Sequence, residues 1–150
     1  MSGEKHTKED LEKLLAEIET LKTEVTGYSE QESYSRATLS EYGLARDGLS
    51  TLGKAKKGRE TLVPLGGMIM IKAKVDPKDK VIVGLGHGVS VEKDKKDALA
   101  WVEERISELE NSHSQIVTRI GEMERRMAEL NQRAQAIYLE IQDQFGEGQN

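Results

Sequence analysis

The most useful absences in this chain are those of cysteine, of aromatic residues and of long apolar runs. None of its 150 residues is a cysteine, which excludes disulfide bonds and cysteine-ligated zinc sites. Aromatic residues make up only 4% of the chain, with one Trp and one Phe, so a large aromatic core is not available. The sequence contains no run of about 18 apolar residues, the length that could span a bilayer. Its beginning, MSGEKHTK, lacks the apolar stretch of a signal peptide. We therefore expect a soluble, cytoplasmic protein with no membrane partner.

Charge is plentiful but unevenly distributed. Charged side chains make up 33% of the residues, and the formal net charge is −5. Residues 54–92 carry 8 basic and 4 acidic side chains, whereas both flanking regions carry an excess of acidic ones. Acidic flanks argue against nucleic acid as a partner along them, because phosphates need a basic surface. The basic residues between Lys54 and Arg59 leave an RNA-binding accessory arm as a minor alternative to a solvated connection.

Two matched heptad repeats occupy the acidic flanks. From Leu11 to Leu49, alternating steps of three and four residues meet apolar side chains at nine of twelve positions. From Leu99 to Gln144 the same steps meet them at twelve of fourteen, and His113 is a polar seam position expected to fix the register. A seam that repeats every 3.5 residues indicates a left-handed coiled coil. Two arms of nearly equal length predict one long antiparallel hairpin, with helices over residues 8–53 and 94–145.

Between the arms the period changes from that of a helix to that of a strand. In residues 68–75, branched or small apolar side chains alternate with methionine and lysine, as in a half-buried strand. Further strands are expected over residues 62–65, 80–85 and 89–92. Because Pro64 cannot donate to a ladder, the first of them is expected to lie at a sheet edge or to end there. Glycine-rich turns join the strands into two short hairpins. We thus expect a mainly α fold and a single domain over residues 1–150, with residues 60–92 forming a β-hairpin assembly region.

No constellation of residues points to catalysis. The run from Gly84 to Gly88 reads GLGHG, but it does not continue as G-x-G-x-x-G into a helix, so it is a turn and not a dinucleotide loop. The three histidines stand apart, without the spacing of metal ligands. No G-x-S-x-G or comparable nucleophile context occurs. We expect no enzyme activity, no cofactor and no bound metal.

Apolar residues spread beyond the seam at the far ends of the two arms. Leu14 and Leu15 are adjacent, and an apolar run extends from Ala136 to Leu139. A two-stranded seam cannot cover a whole helix circumference, so part of this surface should be exposed as an interaction site. The alternative is that the extra side chains only prevent fraying. The strands either pack on the root of the coil or pair with other copies or partners, and we favour oligomerisation because short hairpins leave unpaired edges.

The stretch LVPLGGMIMIKAKVDPKDKVIVGLGHGVSVEKD, flanked by the two heptad helices, resembles the α-class subunit of archaeal prefoldin. In that family two hairpins instead of one separate the α class from the β class. The resemblance implies an ATP-independent holdase chaperone that captures non-native polypeptides at its coil tips and delivers them to a group II chaperonin. It also implies a hexamer of two α and four β subunits, in which the α subunits associate and the strands join into β-barrels.

Two sets of residues follow when the family's surfaces are carried onto this chain. The client-binding set lies at the coil tips and comprises Leu11, Leu14, Leu15, Ile18, Ile137, Tyr138, Ile141 and Phe145. The assembly set lies on the strands and comprises Leu62, Val63, Leu65, Ile69, Ile71, Val81, Val83, Val89 and Val91. The rival interpretation is a structural coiled-coil scaffold or a filament built through the same strands.

Overall fold

The chain forms one long helix, then four short strands, then a second long helix. The computed structural model describes residues 6–76 and 80–146. Its elements are α1 (Lys8–Lys54), β1 (Arg59–Gly66), β2 (Ile69–Val75), β3 (Val81–Gly86), β4 (Val89–Lys93) and α2 (Lys95–Gly146). The predicted fold class, two long helices with two small antiparallel hairpins between them, is confirmed. A single domain over residues 1–150 stays a prediction.

The described residues pack as two units. The helical unit contains the residues up to Arg36 together with those from Ser112 onward, and the hairpin unit contains Ala37–Asn111. Each unit therefore holds a segment of α1 and a segment of α2. The four strands belong to the hairpin unit alone.

α1 begins with a reciprocal cap. The amide of Thr7 donates to Oδ2 of Asp10 at 2.7 Å, and the amide of Asp10 donates to Oγ1 of Thr7 at 3.2 Å. The first turn of a helix leaves its N–H groups without intrahelical partners, and this arrangement satisfies two of the amides at that end. The carboxylate of Asp10 accepts hydrogen bonds from the Thr7 backbone N–H and from the Thr7 hydroxyl. The backbone bond, and to a smaller extent the hydroxyl bond, lowers the pKa of Asp10 below its ordinary value.

The heptad seam forms the core of the helical unit. Ile18 of α1 packs with Leu130 and Ala134 of α2, and three further α1 leucines pack partly buried against them: Leu11, Leu14 and Leu21. Every seam position from Leu11 to Leu49 is buried or partly buried except Arg46, and so is every one from Leu99 to Ile141. A narrow stripe with this period is what a two-helix coiled coil buries.

One level of the seam in the helical unit is polar. Oε1 of Glu32 lies 3.6 Å from Nε2 of His113 and 3.9 Å from Nε of Arg36. Ser35, on the adjacent seam position of α1, is buried. The polar seam position noted at His113 thus faces a carboxylate. Because Glu32 meets His113 while Ile18 meets Leu130, residue numbers rise along α1 as they fall along α2, and the two segments run antiparallel.

The hairpin unit holds two separate two-stranded antiparallel sheets, β1 with β2 and β3 with β4. Val63 lies opposite Ile71 in the first, and Val83 lies opposite Val91 in the second. The turns run through positive φ at Gly66-Gly67-Met68 and at Gly86-His87-Gly88, which matches the twist of paired strands. Met68 therefore belongs to a turn, although its sequence context suggested a strand. Pro64 sits within β1, where a two-stranded sheet makes each strand an edge, as predicted.

Helix packing in the hairpin unit centres on an aromatic pair. The rings of Tyr42 and Trp101 lie 6.1 Å apart at a tilt of 47°. Arg105 hydrogen-bonds Glu108 and Tyr42, and both bonds raise the pKa of its guanidinium. These contacts link α1 to α2 next to the strands, so the chain enters and leaves the hairpins from packed helices.

Candidate functional site

The eight residues expected at the client-binding tip fall into different environments. Ile18, Ile137 and Ile141 are buried, with 4%, 3% and 9% of their surface exposed. They occupy seam positions, where a side chain points at the opposite helix and not at solvent. Their role in client binding stays a prediction, and the packed seam leaves them little exposed surface for it. Leu11 and Leu14, also on the seam, are partly buried.

The remaining three residues of that set are exposed and lie off the seam. Leu15 is 50% exposed, Tyr138 52% and Phe145 64%. Leu139, which was not in the set, is 59% exposed. Its signal was present in the sequence, since it is an apolar residue at a non-seam position of a heptad helix. We call these four residues, Leu15, Tyr138, Leu139 and Phe145, the tip surface.

A groove connects part of the tip surface with the seam. Its walls come from Leu11 and Leu15 of α1 and from five residues of α2: Asn131, Ala134, Gln135, Tyr138 and Leu139. Ala134 is 6% exposed, and its small side chain leaves space where a larger seam residue would fill the floor. The hydroxyl of Tyr138 accepts a hydrogen bond from Nε2 of Gln142 at 2.9 Å, which holds the ring along the helix.

Phe145 lies beyond this groove, near the end of α2. The Nζ of Lys8 sits 4.9 Å from the centre of the Phe145 ring, within the range of a cation–π contact. This contact ties the first turn of α1 to the last turn of α2. The exposed ring therefore has a fixed neighbour and still presents most of its surface to solvent.

The other flank of the same unit is polar. A second depression there is lined by His6, Asp10, Lys13, Leu14, Glu17, Arg133 and Ile137. Nε and Nη2 of Arg126 donate to Oε1 of Glu17 at 3.3 and 3.1 Å, which makes an ion pair between the helices. Successive helical residues are rotated by about 100°, which places Leu15 on one side of the seam and Glu17 on the other. The unit thus has one apolar flank and one charged flank.

The residues expected to mediate assembly lie mostly in solvent. Leu65 and Ile69 are 67% and 64% exposed, whereas Val83 is 8% exposed and Val81 and Val91 are partly buried. The rest of the set is exposed as well: Leu62, Val63, Ile71 and Val89. Four apolar residues outside the set are also exposed: Met68, Met70, Ile82 and Leu85. Side chains alternate between the two faces of each strand, as the sequence indicated. The single chain buries little of the apolar face that results.

The part of the chain that the structure describes holds neither a metal site nor a membrane-spanning helix. Within residues 6–76 and 80–146, no group of three or more His, Cys, Asp or Glu side chains could hold a metal ion. In the same residues, no helix combines the length and apolar character needed to cross a membrane.

Several known proteins resemble this chain in sequence. A family model described as prefoldin subunit matches residues 33–140. The chain is 30% identical over 121 residues to prefoldin subunit alpha 2 of Methanocaldococcus jannaschii, covering 81% of this chain and 78% of that protein. It is 29% identical over 135 residues to prefoldin subunit alpha of Nitrosopumilus maritimus, covering 87% and 92%.

Two further similarities cover different shares of the chain. Prefoldin subunit alpha of Methanocorpusculum labreanum is 34% identical over 82 residues, which is 55% of this chain and, at 56%, just over half of that protein. A solved structure of filamentous PFD from Methanocaldococcus jannaschii is 26% identical, with a TM-score of 0.48 over 83% of this chain and 97% of the other.

Proposed function

This chain belongs to the prefoldin family as a chaperone subunit, and from that premise we propose that it is an ATP-independent holdase. It captures unfolded polypeptides at its coil tips and transfers them to a group II chaperonin. It acts in the cytoplasm, in a hexamer of two α-class and four β-class subunits.

The observation that carries this proposal is the tip surface. At the tip, four large apolar side chains are each at least half exposed, as Tyr34 and Leu44 are elsewhere on α1. Burying the exposed half of one such side chain stabilises a contact by about 1 kcal/mol. Before the cost of association is subtracted, four of them correspond to an affinity of about 1 mM, so contact at a single tip is weak and quickly reversible. Several tips on one client would raise the avidity by about 10²–10⁴ without nucleotide hydrolysis.

The hairpins support the assembled state that multivalent capture requires. Exposed apolar side chains on isolated two-stranded sheets are an interface without a partner in the single chain. Covering them with β-class subunits, or with the hairpins of a second α-class subunit, removes both the apolar exposure and the open edges. The assembly set, led by Leu62, Ile69 and Ile71, is the surface that we assign to this role.

The test compares two variants of the full chain, each assembled with a β-class partner. In the first, the tip surface is replaced, with serine at Leu15, Tyr138, Leu139 and Phe145. In the control, four polar residues of the other flank are replaced by serine: Lys13, Glu17, Arg126 and Arg133. Light scattering of a refolding substrate should show that the first variant no longer suppresses aggregation and that the control does. Equal suppression by both variants would contradict capture at the tip surface.

A structural scaffold or filament is the second candidate. It is favoured by one observation, that each of the two hairpins has its own exposed apolar residues, so one chain could join two neighbours in an open array. Mass measurement of the chain alone and with a β-class subunit separates a closed complex from a filament. A scaffold would also leave aggregation of a refolding substrate unchanged.

A further inference from the structure

We propose that the apolar flank of the coil tip is a groove for a third helix, and that it selects amphipathic helical segments of its clients over extended ones. This inference rests on the proposed holdase function and specifies which client conformation the tip recognises. Four features of the helical unit carry it: its one-sidedness, its hydrogen-bonding capacity, its shape and its charge.

The apolar residues of the tip gather on one side of the seam. With a rotation of about 100° per residue, Tyr138 and Phe145 project on the same side of α2, next to the groove that Leu15 borders on α1. The other flank carries the Glu17–Arg126 ion pair and the depression around Lys13 and Arg133. A client therefore binds along this flank of the coil, parallel to α1 and α2.

Hydrogen bonding decides which client conformation fits such a flank. The walls of the groove are two helices. Within each helix, the backbone N–H and C=O groups are already hydrogen-bonded to one another. An extended segment laid there would bury its own backbone groups against apolar side chains with few partners, and each unsatisfied group is costly. The side-chain amides of Asn131 and Gln135 could satisfy only a few. A helix brings its backbone bonds with it, so it loses none of them in the groove.

The shape of the groove suits a helix of about two turns. The groove extends along α2 from Asn131 to Leu139, about 12 Å at a rise of 1.5 Å per residue. Leu11 and Leu15, one turn apart on α1, form the facing wall. The small side chain of Ala134 lies between these walls and is surrounded by larger side chains. The resulting hole has the form that accepts a side chain of a third helix in knobs-into-holes packing.

The edges of the groove differ in charge. Next to Leu15 on the outer side of α1 the helical period places Glu12 and Glu19, both exposed, and Glu19 lies 3.7 Å from Lys22. The α2 edge carries neutral amides, among them Asn131 and Gln142. Because Glu19 is paired with Lys22, and Lys8 lies at the far end over Phe145, Glu12 supplies the acidic part of this edge. The preferred client helix therefore has an apolar stripe with a basic border that meets Glu12.

Synthetic peptides of about 18 residues, long enough to span about 27 Å as a helix, provide the probes. The first has leucines at helical spacing, bordered on one side by lysines. The second has the same composition permuted into strict alternation, and the third has proline at the centre of the first. Fluorescence anisotropy with the full chain, assembled with a β-class partner, should show the first peptide binding at least tenfold more tightly than the other two. Equal binding of all three would overturn the selection of helices.

Single substitutions then locate the groove. Leu15→Gln and Tyr138→Gln should each weaken binding of the helical peptide about five- to tenfold, because half of a large apolar contact is lost. Lys13→Gln, on the charged flank, is the matched control and should leave binding within twofold. An equal loss in Lys13→Gln would overturn the one-sided groove. If either tip variant loses helicity in circular dichroism, the other and the peptide series still decide the question.

The same preparations separate this inference from the proposed function. A complex that suppresses aggregation of a refolding protein but binds the three peptides equally remains a holdase, and only the helix-selective groove fails. A complex that neither suppresses aggregation nor binds any of the peptides overturns both.

Discussion

Leu130 and Leu139 offer a matched test of the difference between the seam and the tip surface. Both are leucines of α2, yet Leu130 is 1% exposed and Leu139 is 59% exposed. We expect Leu130→Ala to lower the stability of the coil without removing any exposed apolar surface. Leu139→Ala should do the reverse, leaving the coil intact and weakening capture of unfolded protein.

The expected magnitudes follow from burial. Leu130 is the largest fully buried side chain among the described residues, and it packs with Ile18 and Ala134. Leu→Ala at a buried site costs about 2–5 kcal/mol. A two-helix coil has only one helix facing the site and can close part of the void, so we expect about 2–3 kcal/mol. At Leu139 a surface substitution in a helix changes stability by about 0.5 kcal/mol or less.

Urea unfolding followed by circular dichroism at 222 nm measures the first quantity. It must be done at one fixed protein concentration, because assembly contributes to apparent stability. Light scattering of a refolding substrate measures the second. The reasoning is refuted if the two variants lose equal stability, or if Leu139→Ala unfolds more easily than Leu130→Ala. Either result would mean that Leu139 is packed and the tip surface is not open to clients.

Three further predictions concern the seam, the cap and the hairpins. Replacing Glu32 and His113 together by leucine should stabilise the coil by about 1–3 kcal/mol, because well-packed apolar residues replace a partly desolvated polar pair; lower stability in urea would contradict this. The cap at Asp10 has a lowered carboxyl pKa, so its contribution is fully present above the ordinary value of 3.8 and is lost as the pH falls through the lowered one. The protection factors of the amides in the first turn of α1, which are exchange rates corrected for the intrinsic effect of pH, should therefore fall on acidification in the native chain, whereas Asp10→Asn should show no such step. Ile71→Asp and Val83→Asp should both reduce the mass of the complex in light scattering, and Val83→Asp, which also buries a charge, should lower the melting temperature further than Ile71→Asp. Full-mass complexes in both variants would argue against assembly through the strands.

Periodicity in the sequence was sufficient for the helices and strands. Both helices begin and end within one residue of the expected bounds, because the heptad repeat, despite its polar positions, continues to the glycines and charged residues that stop it. Met68 was misplaced in a strand. Its apolar neighbours follow the alternation of β2, but the two glycines before it allow a turn that carries Met68 into positive φ.

The candidate site was only partly predictable. Ile18 and Ile141 were grouped with Leu15 and Phe145 because all four are large apolar residues near the ends of the arms. Their difference depends on the helix that lies opposite, which covers the isoleucines and leaves the other two exposed. Leu139 was passed over although its heptad position, off the seam, distinguishes it from the residues that the opposite helix covers.

The order of apolar and polar residues by itself determined that this chain forms two heptad helices around two hairpins, since secondary structure follows from the period at which side chains return to one face. It also determined that the tip carries more apolar surface than a two-helix seam can bury. Only the tertiary structure decided which flank presents that surface. Leu15 and Tyr138 lie far apart along the chain, and they border one groove because the antiparallel register of α1 and α2 brings them to the same side of the seam.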